Sequence, residues 1–146
     1  MKSLLSIALI AAGVAGLFAC ASTSAELQTA LVPAASVGTS VECDSGCTVE
    51  WQRAQLWLGK HATMKVATAT DVLLQTYTPQ QDSPQYYFSI TKEPIAGGRY
   101  RISANLACQS MLGCSPKEDD VRKALLYYVK TGDDLIAGKV SGGAIQ

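Results

Sequence analysis

The chain has no surplus of charge of either sign and only one histidine. Lys and Arg together number 12, as do Asp and Glu, so the formal net charge is zero. Without a basic surplus, binding to nucleic acid is not expected. The sequence contains neither a phosphate-binding loop nor a nucleophile elbow. His61, in a Gly-Lys-His turn, is interpreted as a surface residue, and we predict a non-enzymatic protein without a cofactor.

Charge is also absent from the N-terminal region after Lys2. Residues 3–25 carry no charged side chain, and an apolar stretch covers residues 4–18. This pattern is typical of a cleavable signal peptide, which we predict over residues 1–19. A transmembrane anchor is the alternative, but it needs about 20 apolar residues and is usually followed by basic ones. Here Ser, Thr and Ala follow instead.

The end of the apolar stretch, Leu17-Phe18-Ala19-Cys20, resembles the lipobox of bacterial lipoproteins. Phe18 departs from that pattern, which usually has a small or β-branched residue there. The resemblance implies lipidation of Cys20, with the membrane as a partner through the lipid anchor, and Ala21 favours the periplasm-facing side of the outer membrane. Cleavage at Ala19-Cys20-Ala21 or Thr23-Ser24-Ala25 is the alternative, and it would release a soluble periplasmic or secreted protein.

The remaining chain divides into three predicted parts. Residues 20–42 are rich in Ala, Ser, Thr and Val without a persistent helical or strand period, and we predict a lipidated cysteine followed by a flexible tether. Residues 43–136 are predicted to form one folded domain. The Gly-containing residues 137–146 are predicted to be a flexible tail.

Two helices are predicted in the domain. The first runs from Thr48 to Leu58, with apolar residues spaced for one face. The second has Ser115 as its N-cap, Pro116 at its first position and Glu118 completing a capping box. Gly132 is predicted to end it.

Three strands are predicted between the helices, at 64–77, 86–92 and 99–106. The predicted fold class is therefore α+β: a single small domain of order α-β-β-β-α, with a three-stranded antiparallel sheet and both helices packed on one face. Alternation in the last strand places Ile102, Ala104 and Leu106, together with Tyr100, towards the core. Arg99 and Arg101 then lie on the other face as a candidate anion-binding site, although basic residues there also protect a sheet against aggregation.

Four cysteines lie downstream of the signal: Cys43, Cys47, Cys108 and Cys114. Disulfides are expected in an exported protein, and three pairings exist. We favour local bridges within each short Gly-containing loop, and the predicted topology places all four cysteines at one end of the domain. Zinc binding is disfavoured because five residues separate the last pair, which is outside the usual spacing, so no metal site is predicted.

Several short stretches resemble a family of small envelope lipoproteins of unknown function from Gram-negative bacteria. The resemblance covers roughly residues 43–129 and implies no activity. It is carried by Trp51-Gln-Arg-Ala-Gln-Leu-Trp57, Thr68-Ala-Thr-Asp71, Gln75-Thr-Tyr77, Gly98-Arg-Tyr-Arg-Ile102 and the segment from Cys108 to Cys114.

The expected function is that of an exported lipoprotein that acts as an interaction or structural accessory, with envelope proteins as partners. The alternative is a periplasmic binding module for a small or peptidic ligand in a helix-sheet cleft. An enclosed apolar cavity above about 300 Å³ would favour the ligand binder. A flat, open sheet face would favour a protein partner.

Overall fold

A five-stranded antiparallel sheet forms the centre of the fold. The structure is a computed structural model that describes residues 22–44 and 46–137. The strand order is β1-β5-β4-β3-β2. The strands are β1 (Ser40–Cys43), β2 (Val66–Ala69), β3 (Leu73–Thr76), β4 (Tyr86–Pro94) and β5 (Tyr100–Cys108). The predicted signal peptide, Cys20 and residues 138–146 of the predicted tail lie outside the described residues.

The prediction of an antiparallel α+β domain is confirmed, but the prediction of three strands is wrong. The segment predicted as one strand over 64–77 is a hairpin of β2 and β3. Its turn is held by Thr70, whose hydroxyl accepts hydrogen bonds from the N–H groups of Val72 and Leu73 at 3.3 and 3.0 Å. A threonine that bonds the backbone two or three residues ahead competes with continued strand pairing. The other added strand, β1, lies in the predicted tether.

The two long strands, β4 and β5, match the predicted alternation. Ile102, Ala104 and Leu106 of β5 are buried, and their β4 neighbours include the buried Phe88 and Ile90. Successive side chains of a strand point to opposite faces, so one face of this ladder forms the core and the other faces outwards.

Two long helices pack against the buried face of the sheet. Helix α2 (Thr48–His61) contributes Trp51, Ala54 and Trp57 to the core, and α3 (Glu118–Thr131) contributes Leu125. Helix α2 continues three residues beyond the predicted end at Leu58, because Gly59 adopts helical geometry and does not stop it.

The predicted start of α3 is wrong, whereas its end is confirmed. Ser115 is not the N-cap; Lys117 occupies that position, and its carbonyl accepts the first-turn N–H groups of Asp120 and Val121 at 3.0 and 3.1 Å. The predicted capping box therefore does not form. Gly132 ends the helix with a φ of 88°, a conformation that glycine adopts without steric strain.

The segment predicted as a flexible tether, residues 20–42, instead contains regular structure within residues 22–42. Helix α1 (Ser22–Ala30) is followed by a short 3-10 helix (Val32–Ser36) and then by β1. Leu31, Ala34 and Val37 are buried, with exposures of 5, 0 and 8 %. These residues are three apart, and a 3-10 helix has three residues per turn, so they share one face. This spacing matches neither the helical period of 3.6 residues nor the strand period of 2.

Candidate functional site

The two predicted site arginines lie at one end of the outward face of the sheet and share one carboxylate. The Glu42 carboxylate of β1 accepts hydrogen bonds from Arg99 Nη1 at 2.9 Å and from Arg101 Nη2 at 2.8 Å. The hydrogen bond from Arg101 and the nearby positive charges hold the pKa of Glu42 below its ordinary value of 4.5. Both arginines are therefore already paired with the carboxylate of Glu42, which weakens the prediction that they bind an external anion.

Beyond this charged end, the outward face carries no charged side chain over three successive rows of neighbouring residues. Glu93 lies beside Arg101 and completes the charged row. We call the uncharged rows the neutral patch; it consists of Ser40, Ser103, Thr91 and Leu73 in the first row, Asn105, Ser89, Gln75 and Thr68 in the second, and Ala107 and Tyr87 in the third.

The side chains of the neutral patch offer hydrogen bonds without charge. None of them is fully buried, and Asn105 is exposed. Gln75 Nε2 donates to Ser89 Oγ across two strands at 3.2 Å. Strand and residue spacings give the patch dimensions of about 19 Å by 14 Å. An open sheet face of hydroxyl and amide groups can form many directional contacts with another protein surface but does not enclose a small molecule.

The four downstream cysteines form two local disulfides, as predicted. Cys43 is bonded to Cys47 and Cys108 to Cys114, with Cα–Cα distances of 5.4 and 6.0 Å. Within the described residues, no group of three or more His, Cys, Asp or Glu side chains is placed to hold a metal ion.

The prediction that all four cysteines lie at one end of the domain is wrong. Cys43 pairs with Tyr100 at the start of β5, whereas Cys108 ends that strand. Eight residue steps separate these ends, about 27 Å. The error follows from the missed hairpin, because it adds one strand between Cys47 and Cys108 and so reverses the chain once more.

A partly buried contact between His61 and Asp134, which sequence reasoning missed, joins the end of α2 to the loop after α3. His61 Nε2 lies 2.8 Å from Asp134 Oδ2, and each side chain is 13 % exposed. The His61 ring also packs on Trp57, with ring centroids 4.7 Å apart. His61 is therefore not the surface residue that was predicted, and 73 residues separate the pair, so no local motif indicates it.

The chemistry open to this pair is limited by its surroundings. Asp134 Oδ1 and Trp57 Nε1 are buried without a hydrogen-bond partner among the described residues. An imidazole and a carboxylate act in nucleophilic catalysis when the ring also reaches a nucleophile. In the described part of the chain, no hydrogen bond joins His61 to a hydroxyl or thiol. The arrangement fits a structural link between the two helix ends better than an active site.

A shallow depression with almost no enclosed volume lies between α1 and α3 rather than between a helix and the sheet. It is lined by Leu27, Pro116, Asp120, Val121, Ala124 and Ile136. Typical small-molecule sites have volumes of about 300–1,000 Å³ and enclose most of their ligand. This depression is smaller and partly open to solvent, so it gives little support to the ligand-binding alternative.

The comparisons with known proteins give no identity. No family model, curated protein or solved structure gives a significant match to the chain. The resemblance to Gram-negative envelope lipoproteins therefore stays a prediction. Among the described residues, none of the helices has the length and apolar character needed to cross a bilayer.

Proposed function

We propose that this chain is an exported, lipid-anchored accessory protein of the Gram-negative envelope, which binds a protein partner through the neutral patch. The proposed location is the periplasm-facing side of the outer membrane, with Cys20 as the lipidated residue. The leader over residues 1–19 and the lipobox-like sequence support export. The two disulfides support it independently, because such bonds persist in oxidising compartments and are rare in the cytosol.

The observation that carries the binding role is the absence of charge from three adjacent rows of the outward sheet face. The solvated face of an antiparallel sheet is polar, and charged side chains on exposed strands discourage association. Cores of protein interfaces are depleted in charge and enriched in Tyr, whereas their rims are polar. The neutral patch shares the depletion of charge and contains one tyrosine, Tyr87 in its last row, and the charged row of Glu42, Arg101 and Glu93 forms its border.

The size of the patch fits the central part of an interface. Its dimensions give roughly 270 Å² from standard sheet spacings. A typical specific interface covers about 800 Å² on each partner. A partner would therefore extend beyond the patch onto its border, where the Glu42 and Arg101 side chains could contribute polar contacts.

Site-specific photo-crosslinking in living cells tests this role. A photoreactive amino acid replaces Asn105, which is exposed on the patch, or Gln55, which is exposed on α2 on the other side of the sheet. We expect a discrete protein adduct from position 105 and none from position 55. Asn105→Lys should weaken partner recovery by tenfold or more, since it places an uncompensated charge in the interface. The matched Gln55→Lys should leave recovery unchanged.

Two results would contradict the proposed binding surface. If position 105 gives no protein adduct, or if Gln55→Lys reduces recovery as much as Asn105→Lys, the neutral patch is not the binding surface.

Metabolic labelling with a fatty acid tests the anchor separately. We expect label on the wild type and none on Cys20→Ser, and an unlabelled wild type would contradict lipidation.

A further inference from the structure

The most exposed large apolar side chains in the described residues lie next to each other in one loop. Met111 is 88 % exposed and Leu112 is 99 % exposed, and the next most exposed, Val32, reaches 68 %. Both residues belong to the loop that Cys108 and Cys114 close by a disulfide. Single exposed apolar residues are ordinary on protein surfaces, but adjacent ones at a loop tip indicate a contact with another apolar phase.

The loop is held in a defined conformation that keeps these two side chains outside the fold. Ser110 Oγ accepts the N–H of Leu112 at 3.2 Å, and the Ser110 carbonyl accepts the N–H of Gly113 at 3.0 Å. Gly113 has a φ of 82°, which favours glycine. Since the turn and the disulfide already order the loop, little conformational entropy is lost when its tip is buried in a partner.

The loop and its flanks also lack charge. Residues 102–116 contain no charged side chain. Transfer of the tip into an apolar medium would therefore require no burial of an ionised group within this segment. Acidic residues do lie in the first turn of α3, but Arg122 is bonded to Glu118 and Asp119 there. An apolar tip on an uncharged segment suits the boundary between lipid headgroups and acyl chains.

The N-terminal part of the described chain packs at this same end of the domain. Leu27 of α1 lines the depression beside Pro116, and Gln28 Nε2 donates to Asp120 Oδ2 at 2.8 Å. Ser22 is five residues before Leu27, about 8 Å along a helix. The chain preceding Ser22 holds the apolar stretch and Cys20. A membrane that holds that segment would therefore lie near the loop.

We propose that Met111 and Leu112 insert into the surface of the bilayer that holds the N-terminal anchor, so that the domain has two membrane contacts. This inference rests on the membrane anchoring in the proposed function. The partner is a lipid surface rather than a protein, because the flanks are uncharged and the anchor enters nearby. A second contact fixes the orientation of the domain, which a lipid on a short chain segment does not do by itself.

The test uses the full lipidated protein in vesicles of phosphatidylethanolamine and phosphatidylglycerol. A photoreactive amino acid replaces Leu112 in one variant and Leu56 in another; Leu56 is an exposed leucine of α2, with 51 % exposure, and serves as the matched control. We expect lipid adducts from position 112 at least about tenfold above those from position 56, in line with the partitioning of a leucine-sized side chain. A third variant combines Met111→Ser with the photoreactive residue at position 112, and we expect it to give fewer lipid adducts than the variant that keeps Met111.

Each other result contradicts the insertion. Adducts at 112 to a protein or to a second copy of the chain would assign the loop to a protein interface. Equal yields at positions 112 and 56 would show that the loop only lies near the surface. Fatty-acid labelling of the same preparation separates the two proposals: labelled protein without lipid adducts at 112 refutes the loop contact alone, whereas unlabelled protein refutes the anchor.

Discussion

At the scale of single residues, Tyr86 links the sheet to the segment that leads into α3. Its side chain is buried, with 1 % exposure, and its hydroxyl donates to the carbonyl oxygen of Pro116 at 2.6 Å. Burial, reinforced by the charges of Glu118 and Asp120, raises the pKa of Tyr86 to about 12. The neutral phenol is thus favoured in the folded state, where it holds the segment leading into α3.

Tyr86→Phe should lower the free energy of unfolding by about 1 kcal/mol at neutral pH, because it removes one net hydrogen bond and leaves the Pro116 carbonyl unpaired. The raised pKa of Tyr86 also makes the stability of the fold depend on pH in alkaline solution. The stabilisation is complete below the ordinary value of 10.0 and is lost as pH rises towards about 12. Urea unfolding of both proteins from pH 8 to 11.5 measures this. If the wild type loses no more stability than Tyr86→Phe over that range, the account of Tyr86 is wrong.

Glu42 has the opposite pH dependence. Its folded-state pKa is lowered, so its contribution is present above the ordinary value of 4.5 and is lost as pH falls through the lower folded value. Glu42→Gln should therefore lower the melting temperature at pH 7, with the difference from wild type shrinking towards pH 3. Thermal unfolding at the two pH values checks this, and a difference that stays constant would show that the arginine contacts do not stabilise the fold.

Residue roles that depend on long-range contacts could not be predicted from the sequence. Ile102, Ala104 and Leu106 were assigned to the core because alternation along a strand is local information. The pairing of Arg101 with Glu42 depends instead on β1, and the contact of His61 with Asp134 depends on two chain ends meeting in space. Neither pair has a sequence spacing that physical rules would single out.

At the scale of elements, the N-terminal segment is the largest difference between expectation and structure. Its composition resembles a tether, and its apolar residues follow neither a helical nor a strand period. A 3-10 helix buries residues three apart, which short Ala- and Ser-rich sequences satisfy without an obvious pattern. By contrast, α2, β4 and β5 were predictable because each is long and has a clear period or boundary residues.

Substitutions in this segment distinguish a folded element from a tether. Leu31→Ala should lower the free energy of unfolding by about 2–3 kcal/mol, since Leu31 is 5 % exposed and its truncation leaves a cavity. Val32→Ala, at the neighbouring position with 68 % exposure, should change it by less than about 0.5 kcal/mol. Chemical unfolding gives both values. Equal and negligible effects would mean that the segment is not packed on the domain.

At the scale of the whole molecule, the fold determines how close the domain lies to a membrane. A tether of some twenty flexible residues would have a root-mean-square span of roughly 25 Å and would lift the domain clear of the bilayer. Within the described residues, helix α1 covers Ser22–Ala30, and Ser22 is two positions after Cys20 in the sequence. If Cys20 carries the lipid, the domain sits at the membrane surface, and the exposed Met111 and Leu112 come within reach of it.

The overall shape also separates two surfaces. The disulfide between Cys43 and Cys47 lies at the charged end of the sheet, whereas the loop closed by Cys108 and Cys114 lies at the opposite end. The neutral patch extends between them on the outward face. A domain held at the membrane by its second disulfide loop would thus keep most of this face free for a partner.

Export and anchoring are central to this account, and the intact mass of the protein purified from cell envelopes tests them most directly. We expect a chain that starts at Cys20, carries the added mass of its lipid and gains four hydrogens on reduction, one pair for each disulfide. A full-length chain that begins at Met1, carries no lipid and has the same mass before and after reduction would contradict the account.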